Sequence, residues 1–457
     1  MIRRRGQHAS TRLQWMLQRL THELWFRASA FSLLAVGTAL LGAVVKHYIP
    51  DDLPARIGVD AVDNLLGVLA ASMLSVAIFS LSTLVSALSA ATDNATPRAT
   101  RLLSQDPTAQ NALSTFIGAF LFSLVGIIAL QTGIYGNSGR VVLYVVTMLV
   151  VIGVVVTLLR WIDHVSNLGR VGQIADRVEA AACRAVVDRA RRPYLGGRRF
   201  DEGTRVPADA RCVYAERIGY VQHVDMVALH DVSAGRDVHI YVDAPPGRYV
   251  HGAQALARIA GPVDEAGVDR VRAAFSVADE RSFEQDPRFG ITVLAEIGSR
   301  ALSSAVNDPG TAIDVLGRAA RVLSNLARAD GDEDADTTGA DPATPDAIPY
   351  GNLHVPGIEP HVLFDDLFTP LARDGAGIVE VAVRLQEVLA VLAAMDGRFV
   401  APAVHTSALA LLRANEALTL EDDRRRVREA AGGVLSAANR DPQPGHAAAA
   451  PESKLDR

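Results

Sequence analysis

Lysine is nearly missing from this chain: only Lys46 and Lys454 occur, and arginine carries almost all the positive charge. A phosphate-binding P-loop needs a lysine and then serine or threonine after its glycines, so the Gly169–Gly172 stretch is not one. Cysteine is equally scarce, with Cys183 and Cys212 alone, which excludes a disulfide framework and suits a reducing compartment. Strong net charge is lacking as well. The 45 basic and 51 acidic residues leave −6, a balance that gives no reason to expect nucleic acid as a partner. Histidines 223, 230, 239 and 251 have neither the i, i+4 spacing of a helical metal pair nor a finger pattern, so no metal and no cofactor is expected. Nothing places an activated nucleophile beside a base, and the reading leans away from an enzyme.

Charge is absent where it is most telling. Four apolar stretches, Phe26–Val45, Leu65–Ala91, Ala112–Thr132 and Val141–Leu159, contain no Asp, Glu, Lys or Arg apart from Arg27. Each has about 19 residues or more, enough at ~1.5 Å per residue to cross ~30 Å of hydrocarbon as a helix. The chain is therefore expected to be an integral membrane protein with the lipid bilayer as its first partner. Arg3, Arg4, Arg5 and Arg12 precede the first stretch, and Arg98, Arg101, Arg160, Arg170 and Arg177 fall in the other segments expected to face inward. The positive-inside bias then gives a multi-pass protein of the bacterial inner (plasma) membrane with both termini cytoplasmic.

The expected fold class is membrane α-helical, with four transmembrane helices, plus a cytosolic α+β region. Residues 1–24 form a basic amphipathic segment, 25–160 the membrane domain, and 161–192 a stalk helix with apolar residues at helical spacing. Residues 205–278 alternate as a small β-rich domain, and 279–438 form a helical domain. Its insert 330–349, acidic and rich in Thr, Pro and Ala, and the Ala/Pro-rich tail 439–457 read as disordered. The run Pro246-Gly247-Arg248-Tyr249-Val250-His251-Gly252, followed by Ala255–Ile259, is similar to the hairpin of biotinyl/lipoyl-type barrel-sandwich domains. No lysine lies between 47 and 453, so a swinging-arm carrier is excluded.

Four motifs carry a wider resemblance: Thr96-Pro97-Arg98; Ile162-Asp163-His164; Glu284-Gln285-Asp286-Pro287 with Phe289-Gly290; and Ala305-Val306-Asn307-Asp308-Pro309 with Thr311-Ala312. With these the chain resembles the bacterial membrane-protein family catalogued as domain of unknown function 2254. The resemblance implies an inner-membrane protein with a cytosolic C-terminal region and supplies no reaction.

Three groups of residues are candidate sites. Ser72, Ser75, Ser82, Ser86 and Ser89, continued by Asp93, fall within about a 100° arc of one helix. Such a hydroxyl face can line a narrow aqueous path or let membrane helices approach closely, including across a seam between subunits. Pro97 ends or kinks that helix, with Arg98 and Arg101 behind it; this reads as a terminator with arginines at phosphate depth or as a hinge beneath a pore. Glu284, Gln285, Asp286, Arg300, Asn307, Asp308 and Thr311 form the third group. A helical hairpin of 287–302 and 309–328, capped by Asp286 and Asp308, could bring acid, arginine and amide together to bind a small ligand, or use the same residues for capping and salt bridges. The leading expectation is an oligomeric, channel-like passive assembly with a cytosolic gating or sensing region. The alternative is a membrane-anchored module that senses a cytosolic ligand or binds a partner protein.

Overall fold

A computed structural model describes residues 59–104, 106–132, 136–167, 170–329 and 348–439, together with Ser29, Leu33 and Gly37. The described chain divides into two compact units, one from the residues up to Asp93 and Ala99–Gln173, the other from Asn94–Arg98 and Ile174 onward.

The first unit is helical. Helices α1 (Val59–Asn94), α3 (Pro107–Gln131) and α4 (Gly136–Asn167) each contain a stretch long and apolar enough to cross a membrane: Val62–Ala90, Pro107–Gln131 and Val141–Val165. The short helix α2 (Pro97–Ser104) lies between the first two. Three candidate spans are thus found among the described residues. The expected span 26–45 lies outside them except for Ser29, Leu33 and Gly37, which are helical. Helix α3 starts where the sequence supplies both signals: Asp106 accepts from the Thr108 amide at 2.8 Å, and Pro107 takes the first helical position, where its missing N–H costs nothing. Leu66, Phe116, Phe122 and Leu143 are buried between the helices. Gly126 allows α3 to approach α1, since a Cβ there would stand 3.1 Å from Leu66 Cδ1. The interior also holds hydroxyls: Ser123 and Thr147 donate to the carbonyls of Ala119 and Leu143 one turn back, at 2.8 and 2.7 Å.

The second unit begins with helix α5 (Val171–Arg191), most of which it contains. The expected continuous helix through 161–191 is divided, with α4 ending at Asn167. Two sheets follow. The larger has the order β1 (Arg198–Arg199), β8 (Leu353–Val355), β4 (His239–Val242), β6 (Ala255–Ala260), β2 (Arg211–Tyr214); β8 runs parallel to both neighbours, and the other pairs are antiparallel. The smaller is antiparallel, β5 (Tyr249–Val250), β3 (Gly219–Val224), β7 (Phe275–Ala278). Helices α6 (Met226–Ser233) and α7 (Glu265–Ala273) help close a core of Val221, Leu229, Ile240, Leu256 and Ile259. Strands β1 and β8 come from outside the stretch 205–278, which gives the larger sheet strands from both sides of the helical hairpin in sequence. The helical part comprises α8 (Pro287–Ala301), α9 (Pro309–Ala329), α10 (Pro360–Asp374), α11 (Val379–Met395), α12 (Gly397–Ala417) and α13 (Glu421–Ala438). Phe364, Phe368 and Phe399 meet at its centre, with ring centroids 5.3 and 5.6 Å from Phe364.

Candidate functional site

On α1 the buried face is Leu66, Leu69, Met73, Ala77 and Ser80, whereas Ser75, Ser82, Ser86 and Ser89 are exposed and Ser72 is half-buried. The serine arc therefore faces away from the interior of the described bundle. Ser72 and Ser75 donate to the carbonyls of Leu69 and Ala71, at 3.2 and 3.1 Å, a bond that spares a hydroxyl in hydrocarbon from going unmet. Asp93 and Arg101 lie on helices, and their side chains are outside the described residues. The sequence reading did not single out the hydroxyls that point inward. Ser80 and Ser114 are buried with no partner for their Oγ atoms.

Asn94–Arg98 belongs to the second unit. There the buried Thr96 donates from Oγ1 to Glu296 Oε2 at 2.8 Å, and Arg98 Nη1 donates to Glu296 Oε1 at 2.6 Å. Arg98, expected at phosphate depth, thus has a carboxylate partner on α8. Its guanidinium is largely exposed, so the ion pair itself is worth about 0–1 kcal/mol; the buried threonine makes the more directional contact. Nothing in the sequence pointed to Glu296, some 200 positions away.

Residues 284–290 form a joint between α5, the β region and the helices. Gln285 Oε1 accepts from the Val224 amide at 2.9 Å, and its carbonyl accepts from Arg189 Nη2 at 3.5 Å. Asp286, 1% exposed, receives two bonds from Arg281, at 2.7 and 3.0 Å. Its side chain makes no cap bond to α8, which corrects the expected role; Pro287 still opens the helix. Gly247 lies against that carboxylate with φ +89°, and a Cβ there would stand 2.3 Å from Asp286 Oδ2. Arg288 grips Asp366, in the middle of α10, at 2.7 Å. At Gly290 α8 nearly touches α5, where a Cβ would come within 2.6 Å of Ala182 Cβ. Burial pushes the Asp286 carboxyl up from the ordinary aspartate value, against the pull of Arg281. Burial also lowers Arg189 to about 10, with Asp286 opposing. Arg189 is 6% exposed, and its Nε and Nη1 are buried without a partner, a state that costs about 1–3 kcal/mol or more for a charged group.

Further along α5, Arg318 on α9 is buried and donates to Asp176, Glu179 and Asp314 at 2.6–2.8 Å, while Arg321 forks onto Glu179 at 2.6 and 2.9 Å. Asn325 donates to Cys183 Sγ at 3.3 Å. This ladder follows the i, i+3, i+7 spacing of both helices.

The expected convergence of Glu284, Asp286, Arg300, Asn307 and Asp308 is not seen. Asp286 precedes α8 and Asn307 follows it, and 15 helical residues separate their ends by about 22 Å. Glu284 and Arg300 are exposed. Asp308 does cap, accepting from the Thr311 amide at 3.0 Å and hydroxyl at 2.6 Å, bonds that hold its carboxyl below the usual range. Asn307 turns the hairpin with φ +49°, a left-handed conformation that asparagine tolerates. His164 of the second motif pairs with Asp106 at 2.6 Å within the first unit. Among the described residues no group of three or more His, Cys, Asp or Glu could hold a metal.

The family described as "Predicted membrane protein (DUF2254)" matches residues 21–391. Uncharacterized proteins of Mycobacterium bovis and Mycobacterium tuberculosis are each 28% identical to the chain over 179 residues, which is 38% of this chain and 34% of theirs. The chain therefore matches about a third of the length of these curated relatives. No solved structure matches it.

Proposed function

We propose, for a chain that belongs to the DUF2254 family of predicted membrane proteins, an oligomeric, channel-like passive conduit in the inner membrane whose cytosolic unit governs it. The carrying observation is a difference between two outward faces of the membrane unit. On α4, Val145, Leu149, Ile152, Val156 and Leu159 form a wholly apolar exposed stripe, which suits lipid. On α1 the exposed face carries Ser75, Ser82, Ser86 and Ser89, which suits either a second copy or water at a symmetry axis. Three or four spans with so few polar groups make a poor conduit alone, so the pore belongs between copies. In this reading residues 26–45 supply a fourth span, and both termini are cytoplasmic. The residues directly after α1, Thr96 and Arg98, are held by Glu296, which supports transmission from the cytosolic helices to the end of the serine-bearing helix.

Reconstituted in liposomes, the protein is expected to leak small ions, and Ser86→Leu is expected to reduce that flux at least several-fold. Absence of any leak, or unchanged flux in the variant, overturns the reading. The alternative, a membrane-anchored sensing module, is supported by the exposed hairpin turn Ala305–Asp308, with Val306 45% exposed. It predicts a cytosolic partner captured through that turn with no flux.

A further inference from the structure

At the joint around residues 284–290 two buried or nearly buried arginines, Arg189 and Arg281, stand near the buried carboxylate of Asp286. Asp286 is bonded by Arg281, which comes from the loop after β7 and keeps some solvent contact. Arg189, in the last turn of α5, stands close enough to interact electrostatically with the same carboxylate, yet spends its one bond weakly on the Gln285 carbonyl. Its other two nitrogen positions have no partner. A buried guanidinium in that condition is costly, because a paired buried charge is strongly preferred to an unpaired one. Arg281 has an alternative to its carboxylate: its guanidinium already lies over the Phe289 ring, 5.1 Å from the centroid, and can stay there or reach water.

We propose that Asp286 is an exchangeable anchor, held by Arg281 in the arrangement seen and by Arg189 in a second one, so that the joint has two ion-paired states. The elements that would feel the exchange are fixed by the contacts around it. Gly247 packs on the carboxylate, Gln285 bonds β3, and Gly290 seats α8 on Ala182 of α5. Moving Asp286 toward Arg189 tightens the end of α5 and loosens the Pro245–Gly247 turn. The exchange is a conformational device lying in the cytosolic part whether or not anything crosses the membrane, so it stands independently of the conduit reading.

The test is a double-mutant cycle on the full chain in detergent micelles, read by hydrogen exchange at residues 184–191 and by thermal unfolding. Arg281→Ala releases Asp286 to Arg189: exchange at 184–191 is expected to slow about 3-fold, with a melting-temperature loss of no more than about 2 °C. Arg189→Met alone is expected to be neutral or mildly stabilising. The double variant, which strands the carboxylate, is expected to lose several degrees more than the sum of the two. Additive losses, or faster exchange at 184–191 in Arg281→Ala, overturn the proposal and mark Arg189 as satisfied by water. If Arg281→Ala does not fold, Arg281→Lys, which keeps the charge and gives up the fork, is expected to show the same slowing to a smaller degree; unchanged or faster exchange there overturns the proposal equally.

Discussion

The two units expose opposite chemistries. In the first, large apolar side chains such as Leu149, Ile152 and Leu159 are exposed, and serine and threonine are found inside. In the second, Phe364, Phe368 and Phe399 are buried, and the outer faces of the helices carry charge, as in Glu421–Arg428 of α13. Each arrangement is a response to its solvent. Water rewards removal of apolar area, whereas hydrocarbon does not distinguish inside from outside for a leucine and penalises only unmet polar groups. Hydroxyls of the first unit such as Ser72, Ser75, Ser123 and Thr147 accordingly bond backward to carbonyls of their own helices, while the second unit knits its elements with arginine–carboxylate forks.

The sharpest way to break the comparison is to make like changes in both units. Phe368→Ala in the second unit is expected to cost about 3–5 kcal/mol in chemical denaturation, because the cavity sits among buried aromatics. Ile152→Ala in the first should cost under about 1 kcal/mol if its face meets lipid. A charge reverses the order: Ile152→Arg is expected to cost about 3 kcal/mol in a membrane-insertion assay, and Val391→Arg, on an exposed helix face, about 0.5 kcal/mol or less in unfolding. Equal costs at the two sites would mean both units meet the same solvent. A smaller loss is expected from Gly247→Ala, about 1–2 kcal/mol from the left-handed backbone alone, plus displacement of Asp286; a neutral result would show that the turn is not pressed on that carboxylate.

The smallest effect concerns pH. Asp374 is held below the ordinary aspartate value by Arg373, which forks onto it at 2.7 and 2.9 Å. A depressed carboxylate contributes stability that is complete above its unfolded value of about 3.9 and is lost as pH falls through the lower folded value. Asp374→Asn should therefore lower neutral stability slightly and, by the same amount, flatten the melting-temperature decline below about pH 4. An identical acid decline would remove Asp374 from the account.

Three spans were legible because their signal is local and exclusionary: a run without charge needs no knowledge of what it packs against. The helices 287–301 and 309–329 were legible for a similar reason, since Asp-Pro marks a helix start whatever follows. The same shorthand misassigned Asp286. Its side chain turned to Arg281 and a glycine turn some 40 positions earlier, and no pattern within a helix reports that. Glu296, Arg189 and the Arg318 ladder were invisible because their partners are about 100 to 200 positions distant. Helix α7 escaped notice because only Val268 and Val271 supply its apolar side among four charged residues, and β8 because three residues cannot display a period. The serine spacing places these residues on one arc of a helix, but which way that arc looks is decided by the packing of α1 within its unit.

The central claim, that lipid solvates the first unit and water the second, is most directly tested by spin labels at Leu149, Ile152 and Leu159 in bilayers, with Val391 as the reference. The account predicts high accessibility to oxygen and low accessibility to a water-soluble nickel chelate at the three α4 positions, with the reverse at Val391. Equal, chelate-dominated accessibility at all four positions would contradict it.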